Sequence, residues 1–452
     1  MIHGYAKRPS VWPGQQLVLH VAGHGVRFRV AFYRWRGALE HMLTSAWRHC
    51  EHQPARGPDD DWQWPEYSFP IAPDWPSGAY LAHLEQAGAG APHLAMADAA
   101  VLFVVRGSAA GKLLYKIPMA TYNAYNHAGG GCFYDNPLRS NNPPGARLSL
   151  RRPGCGIGAP VFGAPDFYDP DSPRQSFAHW DARFIGWLYE NGYEPEFCTD
   201  LDIHADPELC ANYRLLLSAG HDEYWSEAMR DGVEEFVARG GNAAFFSANL
   251  CWWRIHLCDS LASMTCHQGG PKGALDHWWP GRPEDSLSGV SYRHGGGWWD
   301  GQRTAAGFAV QDPAHWVFAG TGLRLGERFG ADTWPPLVGY ECDGAPLSAF
   351  DQASGVATLH PNAPDCGAPP GLRLLAACPL DERWQERPLR EAHAGALHAA
   401  TMSIFTRGGT VFSAGTTDWA QVLGSGQDAR VDTITHNVLD GLLNSATAAR
   451  SL

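Results

Sequence analysis

No stretch of this chain approaches the ~18 consecutive apolar residues of a membrane-spanning helix. The opening residues, Met1 to Arg8, lack the apolar segment of a secretory signal, so a cytoplasmic protein with no membrane partner is expected. Basic residues are in short supply: 34 Lys and Arg against 47 Asp and Glu leave a formal charge of −13. Such a surface repels a phosphate backbone, which argues against nucleic acid as a partner. The eleven cysteines are odd in number and include no Cys-x-x-Cys pair. They read as reduced, mostly buried thiols, not as a disulfide framework or a structural zinc site. Internal repeats are also missing.

What is present is a chain too long for one ordinary core, so two or three domains are expected of its 452 residues. A hydrophobic fraction of 44% with 18% charged residues belongs to a globular protein. The 19 tryptophans serve either as walls of an apolar or sugar-stacking pocket or as large core anchors.

Residues 1–107 read as an all-β sandwich domain. Short strands at 16–21, 26–32, 80–84 and 101–105 alternate with Gly- and Pro-containing turns. The small, flexible stretch Gly107-Ser-Ala-Ala-Gly111 marks a boundary. Residues 111–452 read as an α/β domain built on a doubly wound, amidotransferase-like parallel sheet. Its expected order is a strand at 113–120, a helix from Phe177 to Glu190, and a strand at Glu194 to Cys198. A turn-rich Asp200-Leu-Asp-Ile-His204 follows, then a strand at 213–218, an amphipathic helix from Ser226 to Gly240 and a strand at 242–249. The loop from Asn126 to beyond residue 170 is long enough to suggest function. Residues 250 to about 400, rich in Trp and Gly, read as irregular insertions before a strand at 410–415 and a closing helix from Val431 to Leu443.

In an open parallel sheet, ligands bind beyond the carboxyl ends of the strands. Three segments are expected at that rim: Tyr125-Asn126 after the first strand, His221-Asp222-Glu223 after the third, and Asn249 after the fourth. Taken singly, each has a plainer role as packed ring, helix-start anion or cap. Together they assemble a polar site. The turn Ala219-Gly220-His221-Asp222 has no Cys or Ser at its tip, which disfavours a covalent acyl-enzyme. His221-x-Glu223 lacks the Pro-Cys-x-x-Cys partner of the zinc deaminases. A carboxylate with phenols is a hard oxygen-donor set, better suited to a trivalent or hard divalent cation than to zinc.

Several stretches carry a resemblance. Pro76-Ser-Gly-Ala-Tyr80, Tyr122-Asn-Ala-Tyr125-Asn126, Gly129 to Tyr134, Gly220-His-Asp-Glu-Tyr-Trp-Ser226 and Ala248-Asn249 are among them. With Leu337-Val-Gly-Tyr-Glu341-Cys-Asp343 and Ala414-Gly-Thr-Thr-Asp-Trp-Ala420, they resemble the large (β) subunit family of N,N-dimethylformamidase over nearly the whole chain. That resemblance implies a mononuclear Fe(III) site held by Tyr125, Tyr134 and Glu223, with Tyr122 as the alternative to Tyr125. It further implies His221 and Asn249 as residues beside the metal or the substrate, and Glu341 as an acid/base carboxylate. The chain departs from the family at Cys266-His267-Gln268, where a lysine is expected in place of Gln268.

The chemistry so implied is iron-assisted hydrolysis of a small amide. The metal would polarise the carbonyl and acidify a water. Glu341, or His221 through a water, would move the proton, and Asn249 would donate to the developing oxyanion. Trp252, Trp253, Trp278, Trp298 and Trp299 either wall this pocket or belong to the core. A small accessory subunit and a homo-oligomer are the protein partners expected. Two alternatives stand beside this reading: a non-catalytic binding protion on the same scaffold for a small molecule or carbohydrate, or a hydrolase of a different C–N bond.

Overall fold

The chain divides by its internal packing into two compact units, one of residues 1–206, 226–229 and 254–276, the other of residues 207–225, 230–253 and 277–452. The structure is a computed structural model. It describes every residue except 1, 26, 89, 91, 93, 95–98, 135–145, 158–165, 269–274, 280, 305–306, 389–396 and 445–452. Strands dominate and helices are few.

In the first unit, strands β1 (Ile2–Ala6), β2 (Gln16–Gly23), β3 (Arg27–Trp35), β4 (Leu39–Thr44), β5 (Glu66–Pro70), β6 (Gly78–Gln86) and β7 (Ala100–Val105) form two antiparallel sheets. One has the order β1-β2-β5 and the other contains β7-β6-β3-β4. The inward set is the alternating one: Leu17, Leu19 and Val21 meet Phe28, Val30 and Phe32, with Tyr80, Leu84, Val101 and Phe103 closing the core. Period-two burial of this kind fixes register, because a one-residue slip would turn every apolar side chain outward.

The same unit continues with β8 (Leu113–Ile117), α1 (Met119–Tyr125), α2 (Asp181–Glu190), β9 (Glu196–Thr199) and α3 (Asp200–Ala205). β8 and β9 pair in parallel. Two expectations are corrected here. The strand beginning at Leu113 stops at Ile117, since Pro118 has no N–H for the ladder and opens a helix instead. Tyr125 therefore sits on the last turn of α1 and not at a strand end. The stretch Asp200 to His204 is helical, nucleated by a capping box in which Thr199 and Asp202 satisfy each other's backbone N–H groups.

The second unit is built on β10 (Leu215–His221), β11 (Asn242–Ala248), β12 (Ser291–Gly297), β13 (Phe308–Val310), β14 (Arg328–Phe329), β15 (Glu341–Gly344), β16 (Arg373–Pro379), β17 (Ala399–Arg407) and β18 (Gly409–Ser413). Within its sheet the order is β10-β11-β18-β17-β16-β13-β14. β10, β11 and β18 run parallel. From β17 onward every pairing is antiparallel. The helix α4 (Glu227–Ala238) joins β10 to β11 and buries Met229, Val233, Phe236 and Val237. The closing helix α5 (Ala429–Asn444) buries Val431, Ile434, Val438 and Leu442.

The stretch expected to be irregular, 250 to about 400, is more ordered than its composition suggests. It supplies β13, β14 and β16 to the main sheet, and β12 and β15 as a separate antiparallel pair. β13 and β14 are only three and two residues long, and β12 ends in Gly295-Gly-Gly297, so no extended period-two pattern announces them. All eleven cysteines are free thiols, and only Cys155 and Cys258 escape full burial. Among the described residues no helix is long and apolar enough to cross a membrane.

Candidate active site

The polar centre of the second unit starts from the pairing of β10 with β11, which sets His221 opposite Ala248. His221 ends β10 rather than standing in a loop after it. Beyond the strand ends the two segments stay tied, because the Cys251 and Trp253 N–H groups donate to the Asp222 and Glu223 carbonyls at 3.0 Å each. Asn249 and Cys251 both adopt left-handed backbone, with φ of 49° and 55°. That conformation is uncommon for residues with a Cβ and collects at functional sites. Here it is held by Asp343, whose Oδ1 accepts the Asn249 N–H at 2.9 Å and whose Oδ2 accepts the Leu250 N–H at 3.0 Å.

Asp343 lies on β15, two residues after Glu341, so both side chains leave the same face of that strand. Glu341 brings its Oε2 to 2.6 Å from His221 Nε2, and the Glu223 Oε2 lies 3.5 Å from the same nitrogen. All three side chains are buried. Burial alone would lower the His221 pKa, but the charge and hydrogen bond of Glu341, with Glu223 and Asp222 behind, raise it above the ordinary value. A buried imidazolium between two carboxylates is the state this geometry favours. Asp222 is otherwise committed, accepting from Ser218 Oγ at 2.9 Å and Trp225 Nε1 at 3.0 Å. It anchors the segment, and Glu223 is the carboxylate that reaches the histidine.

Asn249 completes the group. Its side chain is 2% exposed, and its carboxamide oxygen is buried without a hydrogen-bond partner among the described residues. An orphaned buried amide costs stability, so it is retained where something else satisfies it.

Asp343 also makes stability depend on pH. Burial pushes its carboxyl up to about 8, against the pull of the two backbone N–H groups, and Glu284 and Glu341 push the same way. Between the unfolded value near 4 and about 8, the folded chain holds a proton that the unfolded chain has released. This contribution is fully present below the unfolded value and is lost as pH rises toward 8. Asp343→Asn is therefore expected to flatten the decline in stability between about pH 4 and pH 8, read by urea unfolding. An unchanged slope would show that Asp343 is ionised in the folded chain.

The five tryptophans divide. Trp253, Trp278 and Trp298 are buried packing residues, Trp253 stacking on His277 at 4.3 Å and Trp278 lying under the Arg230 guanidinium at 4.7 Å. Trp299 packs on Tyr340 at 5.3 Å, and Tyr340 meets the His221 ring edge-on at 6.3 Å. Trp252 packs on Tyr292 at 5.4 Å. Trp252 and Trp299 are the half-buried members of the set.

In the first unit, Tyr125 and Tyr134 come together. Their rings stack at 4.7 Å and their hydroxyl oxygens are 3.2 Å apart. Tyr122 is placed elsewhere, since its hydroxyl donates to Asp181, which also accepts from Tyr115 at 2.8 Å. Gln268, standing where a lysine is expected, donates from Nε2 to the Tyr134 hydroxyl at 3.2 Å. The long loop after Asn126 is described at its start and near residues 146–157, while 135–145 and 158–165 lie outside the described residues.

Sequence reasoning gave no role to Arg152, which organises this pair. It is fully buried and donates to the carbonyls of Asn123 (2.8 Å), Ala128 (2.9 Å), Gly131 (3.1 Å) and Ser149 (2.9 Å). It thus ties α1, which carries Tyr125, to the Gly-rich turn that leads to Tyr134. Nothing in Arg151-Arg152-Pro153 distinguishes it from a surface arginine. Arg152→Met strands four buried carbonyls and is expected to cost on the order of 3 kcal/mol or more, measured by urea unfolding. A loss below about 1 kcal/mol would mean that the turn holds without it.

The described residues contain no group of three or more His, Cys, Asp or Glu placed to hold a metal ion. The phenol pair is a different kind of donor set. Two hydroxyl oxygens 3.2 Å apart, one receiving an amide N–H, can present adjacent hard oxygens to a cation. The third expected ligand, Glu223, lies in the second unit.

A sandwich followed by a unit with a buried histidine–carboxylate group at parallel strand ends defines a two-unit, β-rich protein with a buried polar centre. The chain belongs to the family described as N,N-dimethylformamidase beta subunit-like, C-terminal, which it matches over residues 25–432. It is 32% identical over 78 residues to the N,N-dimethylformamidase beta subunit of Alcaligenes sp, a match covering 17% of this chain and 10% of that protein. A beta subunit of the same name from Paracoccus aminophilus is 30% identical over 76 residues, again 17% of this chain and 10% of the relative. These matches therefore span only about a tenth of the length of the relatives. Among solved structures, an alpha-2-macroglobulin fragment from Escherichia coli shares 15% identity, covering 24% of this chain and 61% of that one. Its TM-score of 0.14 is too low to define a common fold.

Proposed function

We propose that this protein hydrolyses a small linear amide at the His221–Glu223–Asn249–Glu341 group of the second unit, and that Tyr125 and Tyr134 of the first unit are phenol ligands of a ferric ion. The observation that carries the reading is the buried His221, 2.6 Å from Glu341 at the end of β10, beside the end of β11, where the Asn249 carboxamide oxygen has no hydrogen-bond partner among the described residues. Family membership supports amide hydrolysis as the reaction class. The stacked phenols, with Gln268 donating to one of them, support a hard cation.

A ferric ion would supply Lewis acidity toward the carbonyl oxygen and the attacking water. The chain's own residues do the rest. Glu341 accepts a proton from the attacking water, and its contact with His221 gives that proton a second carrier. His221, as imidazolium, returns a proton to the departing amine. Asn249 donates its amide N–H to the carbonyl oxygen as negative charge develops there, an assignment that takes the carboxamide in its flipped orientation. Burial of all four side chains keeps bulk water from competing for these bonds.

Asn249→Ala is expected to lower kcat by about 100- to 1,000-fold, with a smaller change in KM, on whichever N-substituted formamide or acetamide the wild type turns over fastest. A variant within fivefold of wild type would remove Asn249 from the mechanism. A wild-type chain inert toward the whole amide panel, with and without iron, would overturn the hydrolase reading. The parallel triplet β10-β11-β18 with α4 between its first two members supports kinship of the second unit with amidotransferase-like sheets. The relatives' name as a beta subunit supports assembly with a further subunit, and self-association is proposed with it.

A further inference from the structure

Gly297, at the end of β12, has a glutamate on each side. Along one edge it lies opposite Glu341 of β15. Along the other it exchanges two backbone hydrogen bonds with Glu386, at 3.0 and 3.1 Å. Residues directly opposite in antiparallel pairs present their side chains to the same face. Glu341 and Glu386 therefore rise from one face, two strand spacings or roughly 10 Å apart at the backbone, with a glycine between them.

The space over that glycine is occupied from the side. A Cβ on Gly297 would stand 2.3 Å from the Trp299 ring and 2.6 Å from the Tyr292 hydroxyl. The Tyr292 hydroxyl thus lies over the gap between the carboxylates, and it donates to Glu386 Oε2 at 3.0 Å. Burial and both glutamates hold the Tyr292 pKa well above its ordinary value, so it stays a donor.

The two carboxylates differ in surroundings. Glu341 is buried against His221. Glu386 is the more exposed of the two, and among the described residues its side chain is bonded by Tyr292 alone. Neither glutamate pairs with a lysine or arginine among the described residues. Partial burial and the Glu341 charge push the Glu386 carboxyl above its usual range, and the Tyr292 bond only partly offsets them. An arriving cation would relieve that repulsion. A dialkylated amide nitrogen carries no donor and makes no use of Glu386.

We propose that Glu386, oriented by Tyr292, takes the amine half of the substrate and selects amides whose nitrogen substituent bears a second, cationic amino group. The spacing suits a linker of three to five methylenes, making N-acylated linear diamines the substrate class. The proposal rests on amide hydrolysis at Glu341 and His221, and it adds what that reading leaves open, the chemistry of the amine half.

The test pairs binding with turnover on the full chain. Calorimetric titration with butane-1,4-diamine, the amine product expected, compares wild type, Glu386→Gln and Glu382→Gln, the last an exposed glutamate in the same loop. Glu386→Gln is expected to weaken binding about tenfold or more, as loss of a hydrogen bond to a charged group does, and Glu382→Gln to leave it within twofold. In turnover, kcat/KM for N-(4-aminobutyl)formamide is expected to exceed that for N-pentylformamide about tenfold or more. That ratio should fall to near unity in Glu386→Gln. Equal diamine binding in wild type and Glu386→Gln, or no binding to wild type, would overturn the proposal, as would a wild-type ratio of one. Diamine binding that depends on Glu386 without cleavage of any amide would keep the amine site and defeat the hydrolase reading instead.

Discussion

Glu341→Gln is expected to reduce amide turnover by about 100- to 10,000-fold, the range lost with a general acid–base group, while the chain stays folded. Glutamine has nearly the shape of glutamate and keeps an oxygen toward His221, so packing in the buried site changes little. What it cannot do is take a proton. The backbone at this position is independently secured, with the Glu341 N–H donating to Thr417 Oγ1 at 3.3 Å and its carbonyl accepting from the Thr417 N–H at 3.1 Å. Steady-state kinetics beside a thermal melt separates the outcomes. Lost activity with a melting temperature within a few degrees of wild type supports the proton-transfer role. Activity within fivefold of wild type would remove both the Glu341 charge and its proton transfer from the mechanism, and a collapsed melting temperature would make it structural.

The second large effect concerns the phenols. Purified protein supplied with iron is expected to hold about one ferric ion per chain and to show a visible phenolate-to-iron absorption. Tyr125→Phe and Tyr134→Phe each remove one hydroxyl of the pair at 3.2 Å and leave the stacked rings in place. Both variants are expected to lose most of the absorption and of the bound iron, and activity with it. Tyr122→Phe is the discriminating control. Its hydroxyl is bonded to Asp181, so it should keep the absorption and lose stability instead. Gln268→Leu removes the N–H donated to Tyr134 and is expected to weaken iron binding about 10- to 100-fold, the usual loss when a ligand's own hydrogen-bond partner goes. A colourless wild type that takes up no iron would point to a binding protein and away from a metal hydrolase.

Much of the candidate site was legible in the residues, for identifiable reasons. His221-Asp222-Glu223 stands out because three ionisable groups follow a run of buried apolar residues, a placement that folding alone does not require. Which of the two acids faces the histidine was not legible. Asp222 and Glu223 are adjacent in sequence, and only the positions of Ser218 and Trp225 show that Asp222 is the anchor. Tyr122 and Tyr125 posed the same ambiguity. Asp181, 59 residues away, takes the Tyr122 hydroxyl while Tyr125 faces Tyr134, which favours Tyr125 as the proposed ligand. Arg152, Asp343 and Glu386 gave no local signal of the contacts they make. Each acts through backbone groups or neighbours that are distant in the chain.

The sequence by itself determined the sandwich of the first unit, the β10-α4-β11 crossover and the closing helix. These rest on side-chain periodicity over consecutive residues, and burial follows that periodicity directly. It also determined the polar candidates at the ends of β10 and β11, since a strand followed by an amphipathic helix places its last residues at a sheet edge. Only the tertiary structure decided the antiparallel half of the sheet, the helical seat of Tyr125 and the row of Glu341, Gly297 and Glu386. Such features depend on pairings between segments tens to hundreds of residues apart. No local pattern encodes those pairings, because the hydrogen bonds that make them belong to the backbone, which every residue shares.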